Sequence, residues 1–179
     1  MKPYRVEYVQ LAGWETDRVG LWLAENEDWL LLRHIPVDYV IDGYVLLAKS
    51  HIISRKPTKY RTQTEQILKL KGIKAEVPAG FEFSGTLEMM HWVAQRYGLI
   101  EFAEEEESTF FGWLRTADAV HFRVDLLTAK GTLDVSDGQE EPFLISGVQV
   151  ISFDTDYFNS LKLLWHHKQR LVLRKPSDN

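Results

Sequence analysis

Two stretches decide how the chain is read: Val45–Arg55 (VLLAKSHIISR) and Phe143–Phe153 (FLISGVQVISF). Laid side by side without a gap, Val45, Leu46, Leu47, Ile52 and Ile53 fall on Phe143, Leu144, Ile145, Val150 and Ile151, all apolar, and Ser54 falls on Ser152. Each stretch is an apolar run, a short polar or glycine-containing break, and a second run rich in β-branched residues. Such residues fit a pleated surface and the break supplies a turn, so each stretch predicts two short strands joined tightly. The same unit is therefore expected twice.

The flanking sequence extends both copies. Residues 4–9 (YRVEYV) alternate apolar and polar, as a half-buried strand does. Gly13 to Arg18 predicts a turn, with Trp14 large enough to pack back on a core. Leu21–Leu23 and Trp29–Ile35 are apolar runs separated by the acidic turn Glu25-Asn26-Glu27-Asp28, a hairpin closed by Pro36. Asp42-Gly43 marks another hairpin, because glycine accepts the positive φ of the primed turns. Beyond the first anchor, Pro57 blocks further strand pairing. Thr62 or Thr64 caps a short helix through Gln66, Ile67 and Leu70, with Gly72 as its stop.

Residues 73–84 hold Pro78, Gly80 and the alternating Phe81-Glu82-Phe83, and predict a linker with an extended piece. Ser84 or Thr86 opens the clearest helix, about 86–97, with Glu88 in its first turn and Gly98 after its end. Leu87, Met90, Val93, Ala94 and Tyr97 fall on one face of it. Gly112-Trp113-Leu114 then corresponds to Gly20-Leu21-Trp22, and Phe122, Val124 and Leu127 match Leu30, Leu32 and Ile35 in spacing. The second copy carries a longer loop before its anchor, containing Asp134, Ser136, Asp137 and Gly138. A helix from Tyr157 to about Lys168 follows that anchor.

A unit of four or five short strands is too small for a sandwich. Bending into a small barrel removes its exposed edges. The fold class expected is mainly β with a few helices: two Sm-like or SH3-like small barrels related by internal duplication. The first barrel with its helix covers 1–75, a linker and helix 76–98, and the second barrel with its helix 99–179. Leu47, Ile53, Ile145 and Ile151 are the predicted core of the anchors.

This plan resembles the Sm-like family, to which the Sm proteins and the bacterial RNA chaperone Hfq belong. Lys49-Ser50-His51-Ile52-Ile53-Ser54 is similar to the Lys- and His-containing turn before the last Hfq strand, and the strand order and acidic hairpin are similar too. The resemblance covers about 15–60 and 108–158, one barrel each. The Asp and Asn signature of the first Sm motif is not recognisable, Ser50 separates Lys49 from His51, and the second copy has Gly147 and Gln149 instead. Bacterial proteins with a tandem small barrel are the nearest likeness, which implies a fold and no activity.

With 179 residues, 45% of them hydrophobic and 12% aromatic, the chain suffices for a packed core and is not a disordered polymer. It has no cysteine, which excludes a disulfide framework and thiolate zinc sites and is compatible with a reducing cytoplasm. Its start lacks a signal-peptide core and no window approaches a membrane span, so the expected compartment is the cytoplasm and no membrane partner is expected. The net charge of −5 is unevenly spread: eight Lys or Arg stand against Glu65 between 49 and 74, and thirteen acids against Arg115, Arg123 and Lys130 between 99 and 160. That asymmetry fits an anion-facing patch, two halves that attract one another, or two solvated faces. The candidate anion or RNA patch is Lys49, His51, Arg55, Lys56, Lys59 and Arg61.

No catalytic or cofactor motif is present: no G-x-S-x-G, phosphate loop or dinucleotide glycine pattern. The six histidines (His34, His51, His91, His121, His166, His167) form no metal-ligand pair, since adjacent His166 and His167 point apart on a helix. Asp134, Asp137, Glu140 and Glu141 lack calcium-loop spacing and predict an ordinary acidic loop. Trp22, Trp29 and Trp113 lie in strand patterns and Trp92 and Trp165 in helices, as core or interface residues. Trp14, in a turn, is the one placed to stack on a ligand. The basic tail from Trp165 to Lys175 reads as a partner-binding arm or a charge-dressed terminal strand, more as the second. No cofactor and no catalysis are expected. The leading expectation is a binding or assembly module with an RNA or protein partner. A homo-oligomeric scaffold in which the basic half docks on Glu104–Glu107 or the 134–141 loop is the alternative, and an enzyme using a cleft between the barrels is the third.

Overall fold

Strand alternation sets the architecture. The computed structural model describes residues 4–56, 60–134 and 141–174. Its strands are β1 (Val6–Leu11), β2 (Arg18–Glu25), β3 (Trp29–His34), β4 (Tyr44–Ala48), β5 (Ile52–Lys56), β6 (Ile100–Glu105), β7 (Ser108–Ala117), β8 (His121–Leu126), β9 (Phe143–Leu144) and β10 (Val150–Phe153). Its helices are α1 (Arg61–Leu70), α2 (Thr86–Tyr97) and α3 (Asp156–Arg174). The fold is mainly β, as expected, and helix α2 ends at Gly98, where the chain turns left-handed with φ 90°. Helix α3 continues to Arg174, so the basic tail is helical to that point and not a strand.

The ten strands form one antiparallel sheet in the order β5-β1-β2-β3-β4-β10-β6-β7-β8-β9. The first five positions and the last five run through their strands in the same order. Register agrees as well. Glu7 pairs Gly20 and Gly20 pairs His34, while Ile100 pairs Gly112 and Gly112 pairs Leu126. The β2·β3 ladder shifts between Trp22 and Ala24, and the β7·β8 ladder between Leu114 and Thr116, the corresponding place. Asn26 Oδ1 accepts from the amides of Asp28 and Trp29, and Asp118 Oδ1 accepts from those of Val120 and His121. A single 3-10 turn separates the last two strands of each half, Lys49–His51 and Ile145–Gly147.

Three expectations need correction. Two separate closed barrels were predicted, but the described strands make one open sheet. The edge of β4 is not left to its own half, because β10 pairs with it from Val150↔Leu47 to Phe153↔Tyr44. The gap-free alignment of the anchors is also displaced. Leu47 pairs Leu30 as Phe143 pairs Phe122, and Val9 pairs Arg55 as Phe102 pairs Ile151. Arg55, not Ile53, therefore holds the position of Ile151. Finally, Leu47 and Ile151 are buried as predicted, but Ile53 is 62% exposed on the edge strand β5, and Ile145 is half-buried in its 3-10 turn.

The sheet curls strongly. Val9 and Leu11 of β1, Leu30 and Leu32 of β3, Val45 and Leu47 of β4, Val150 of β10 and Ala103 of β6 share one core, although β1 and β6 stand five places apart in the sheet. Residues of opposite parity in β3, β4, β10 and β6 (Leu31, Leu46, Ile151, Phe102) form a second core with Phe122 and Val124, covered by Met89, Met90 and Val93 of α2. Helix α2 thus packs on a core to which both halves contribute. Leu68 of α1 closes a third core with Val6, Leu21 and Ile35, and Phe158 and Leu161 of α3 close a fourth with Leu99 and Leu127. Among the described residues, no helix is long and apolar enough to cross a membrane.

Candidate functional site

The seam where β4 meets β10 is held by more than its ladder. Gly43, in the turn before β4, has φ 63°, and a Cβ there would lie 2.5 Å from the Phe153 carbonyl oxygen, so the approach of β10 admits only glycine. Tyr44 and Phe153 stack across the seam with ring centroids 5.2 Å apart. Asp42 Oδ1 accepts from the Asp156 amide (2.6 Å) at the start of α3, and Thr155 Oγ1 accepts from the Phe158 amide (3.1 Å). Trp14 Nε1 donates to Gln149 Oε1 (2.8 Å), and Glu106 accepts from the amides of Glu15 and Thr16. Trp14 is therefore buried in the joint between the halves, not held out from a turn.

At one end of the first core the inward-facing positions turn polar. There a cavity of about 220 Å³ opens, lined by Arg18 of β2, His34 of β3, Asp42 of the turn, Glu101 of β6, Ser152 of β10, and Thr155 and Tyr157 at the start of α3, with Phe102, Ala103, Thr109 and Val150 as walls. Each strand contributes its side chain by simple alternation: Arg18 follows the parity of Gly20, His34 that of Leu32, and Glu101 that of Ala103. Glu101 and Ser152 are directly paired across β6 and β10.

Burial dominates the electrostatics. It pushes the Glu101 carboxyl up to about 7, while hydrogen bonds from Ser152 and Thr155 and the Arg18 charge work in the opposite direction and Asp42 adds to the rise. Burial also brings His34 down to about 4, assisted by the charge of Arg18 and opposed by Asp42, so the imidazole is neutral. Arg18 is lowered by its own burial against the pull of Glu101 and Glu106, and its guanidinium lies over the Trp14 ring at 4.5 Å. Two of these polar atoms, Arg18 Nε and Glu101 Oε2, have neither solvent contact nor a hydrogen-bond partner.

The second half fills the same place with aromatics. Val9 pairs Arg18 as Phe102 pairs Phe110, so Phe110 stands at the position of Arg18. Phe110 packs against Phe102 and Phe143 with centroids 5.3 and 4.8 Å apart, and Phe122 joins them. The polar lining of the first half is thus not a demand of this strand plan.

The basic stretch has a different setting. Arg55 reaches Glu25 (2.6 Å) and Glu7 (3.5 Å), Lys49 donates to the Asn26 carbonyl (2.6 Å) beside Glu25 (3.9 Å), and Arg61 pairs Glu65 (2.8 Å). Burial works to raise Glu25, yet Arg55, Lys49 and Arg5 hold it below the usual carboxylate range. Lys56 is exposed and His51 half-buried, whereas Lys59 lies outside the described residues, as do Asp137 and Glu140 of the acidic loop. The acids that meet Lys49, Arg55 and Arg61 belong to the first half, not to Glu104–Glu107. No group of three or more His, Asp or Glu suited to a metal ion occurs among the described residues.

The seam cavity has no contiguous local signature in the sequence because its polar lining is gathered from β2, β3, the turn before β4, β6, β10 and the start of α3. The only local signal was charge at inward parity, Arg18 and His34 in strands whose other inward residues are apolar. Comparison with protein-family models, curated proteins and solved structures finds no match to the chain.

Proposed function

We propose that the chain is a non-catalytic binding module of two like five-stranded units, fused edge to edge in one open sheet, which takes a small ligand at the fusion seam. The observation that carries this is the cavity itself, walled by charged and polar side chains from both halves, Arg18 and His34 from one and Glu101 and Ser152 from the other. The shared strand order, ladder shifts and 3-10 turns support descent of both units from one Sm-like unit by duplication, with 1–75 and 99–179 as the copies and 76–98 between them. Ser152 and Thr155 direct their hydroxyls to Glu101, and His34 is engaged with the Asp42 backbone, so these side chains hold one another in place around the cavity. The carboxylates already facing Lys49, Arg55 and Arg61 speak against RNA binding at the basic stretch.

Assembly by adding further strands is disfavoured at both ends of the sheet. Pro142 takes the place that Leu46 has in β4 and offers no N–H, and β5 carries exposed Lys56. The module is expected to be monomeric.

Ligand-observed NMR with a mixed fragment set, comparing wild type with Ser152→Phe, tests the reading. Fragments that bind wild type and are lost on filling the cavity, with circular dichroism unchanged, are expected. Equal binding to both proteins, or binding to neither, overturns it. Retention of a mixed single-stranded RNA pool at about 50 mM salt that falls steeply towards about 200 mM would instead support the basic stretch as the binding surface.

A further inference from the structure

We infer that the chain carries a second binding site, away from the seam, for a small neutral ring rich in hydroxyls: a pyranose sugar. The connection between β3 and β4, the start of α1, and Tyr8 and Val19 of β1 and β2 line a cavity of about 340 Å³. That is larger than the cavity at the seam and falls within the roughly 300–1,000 Å³ of small-molecule sites. Tyr8, Tyr39 and Tyr60 reach it from β1, the β3–β4 connection and the residue before α1, with Ile35, Pro36 and Val37 as apolar wall. Val37 and Tyr60 are 57% and 56% exposed, so a ligand there meets side chains that solvent already reaches. The two cavities share no lining residue, and this inference does not rest on the seam.

Bonds within the site place its polar groups. Gln63 Nε2 donates to the Tyr39 hydroxyl (2.9 Å), which leaves the Gln63 carbonyl oxygen to accept and the Tyr39 O–H to donate. Lys71 Nζ donates to the Tyr39 carbonyl (2.7 Å), and the Val40 amide to the Val37 carbonyl (3.0 Å), so the turn that carries Asp38 is held on either side. Asp38 itself has φ 45°. This left-handed conformation costs a non-glycine residue strain, and such strain is kept mostly where the geometry is used. Thr64 Oγ1 is already given to the Tyr60 carbonyl (3.0 Å), so the polar groups left to a ligand are those of Asp38, Gln63 and the tyrosines.

Charge and donor count choose among ligands. Asp38 is the one charged group among the described lining residues, and its carboxylate repels an anion such as a nucleotide phosphate. A cation would have to share that single carboxylate with Lys71, at the Tyr39 carbonyl, and Lys56, the ladder partner of Tyr8. A neutral molecule meets neither objection. The Asp38 carboxylate and the Gln63 oxygen only accept, so the ligand must bring donors, and each hydroxyl of a sugar both donates and accepts. The C–H face of a pyranose is apolar and its hydroxyls lie around the rim. It therefore complements tyrosine, which joins an apolar ring to a polar tip.

The test is a titration of the full-length, 15N-labelled protein with the methyl pyranosides of glucose, mannose and galactose, read at the Gln63 side-chain amide. Choline chloride, adenosine monophosphate and cyclohexanol serve as cationic, anionic and apolar controls. A saturable shift at millimolar concentration is expected with at least one glycoside and with no control. Asp38→Gly removes the carboxylate and relieves the positive φ, so the fold is kept while binding weakens roughly fivefold or more. Tyr60→Ala, at an exposed position, should weaken it to a similar degree. A control that saturates as the glycosides do, or a glycoside affinity unchanged in both variants, overturns the ligand class. Silence of Gln63 towards every glycoside overturns the site, and leaves the seam reading as it was.

Discussion

Replacing Glu101 by glutamine is expected to stabilise the protein at alkaline pH and to expose a pH dependence that the wild type conceals. The carboxyl stands at about 7 in the fold against its ordinary 4.5. Between those values the folded protein keeps a proton that the unfolded chain has released. The stability belonging to that proton is complete below 4.5 and is lost as pH rises through 7. One unit of displacement corresponds to about 1.4 kcal/mol, so the ionised carboxylate costs the fold up to about 3 kcal/mol at about pH 8. His34 runs the other way. Its value of about 4 lies below the ordinary 6.5, so its contribution is complete above 6.5 and is lost as pH falls towards 4. Between 4.5 and 6.5 the two slopes oppose one another, and this pair should leave the wild type nearly flat. Urea denaturation at about pH 5, 6.5 and 8 reads the difference. Glu101→Gln should gain up to about 3 kcal/mol at the highest pH and lose stability from about 6.5 to 5, while His34→Gln should lose stability as pH rises from about 5 to 7. A gain below about 0.5 kcal/mol at about pH 8, with a profile parallel to wild type, would refute the account of a buried carboxyl resisting ionisation.

Two further substitutions probe the sheet. Ile151→Ala should cost about 2–5 kcal/mol in chemical denaturation through lost contacts and a cavity, whereas Ile53→Ala, on the exposed edge, should stay within about 0.5 kcal/mol. Gly112→Ala sets a Cβ hard against the Asp125 carbonyl oxygen, backbone that cannot step aside, and Gly20→Ala sets one 2.6–2.7 Å from Leu32 Cβ and the Arg33 carbonyl oxygen. Both should be destabilising by more than about 1 kcal/mol in thermal or urea melts, and to similar degrees, because the two glycines hold the same place in their halves.

What the sequence disclosed was whatever short-range pattern encodes. The β2–β3 and β7–β8 hairpins, their matching glycines and the helix from Thr86 to Tyr97 were legible because parity and capping are local. The anchors were recognised as strand–turn–strand units, but apolar matching alone aligned Ile53 with Ile151. Both are β-branched, and nothing within the stretch tells an edge strand from one flanked on both sides. Only the pairing partners, β1 alone for β5 but β4 and β6 for β10, separate them. Closure was misjudged for the same reason: the partner of β4 lies about a hundred residues away, and no local signal names it. The seam cavity was hidden more deeply. Arg18, His34 and Glu101 each look like ordinary charged residues until the curl of the sheet brings β2 and β6 together. The basic stretch was visible as a charge count, but its meeting Glu7, Glu25 and Glu65 depended on geometry.

The two halves share a single sheet through β4 and β10 and so build a cavity lined from both. Native-state hydrogen exchange tests it residue by residue. The amides of Val45–Ala48 and Val150–Phe153 should be protected to within about tenfold of those in the β2–β3 ladder, because they open only when the whole sheet does. Exchange at the seam about a hundredfold faster than in both the β2–β3 and β7–β8 ladders would mean that the halves part independently, and would contradict the claim.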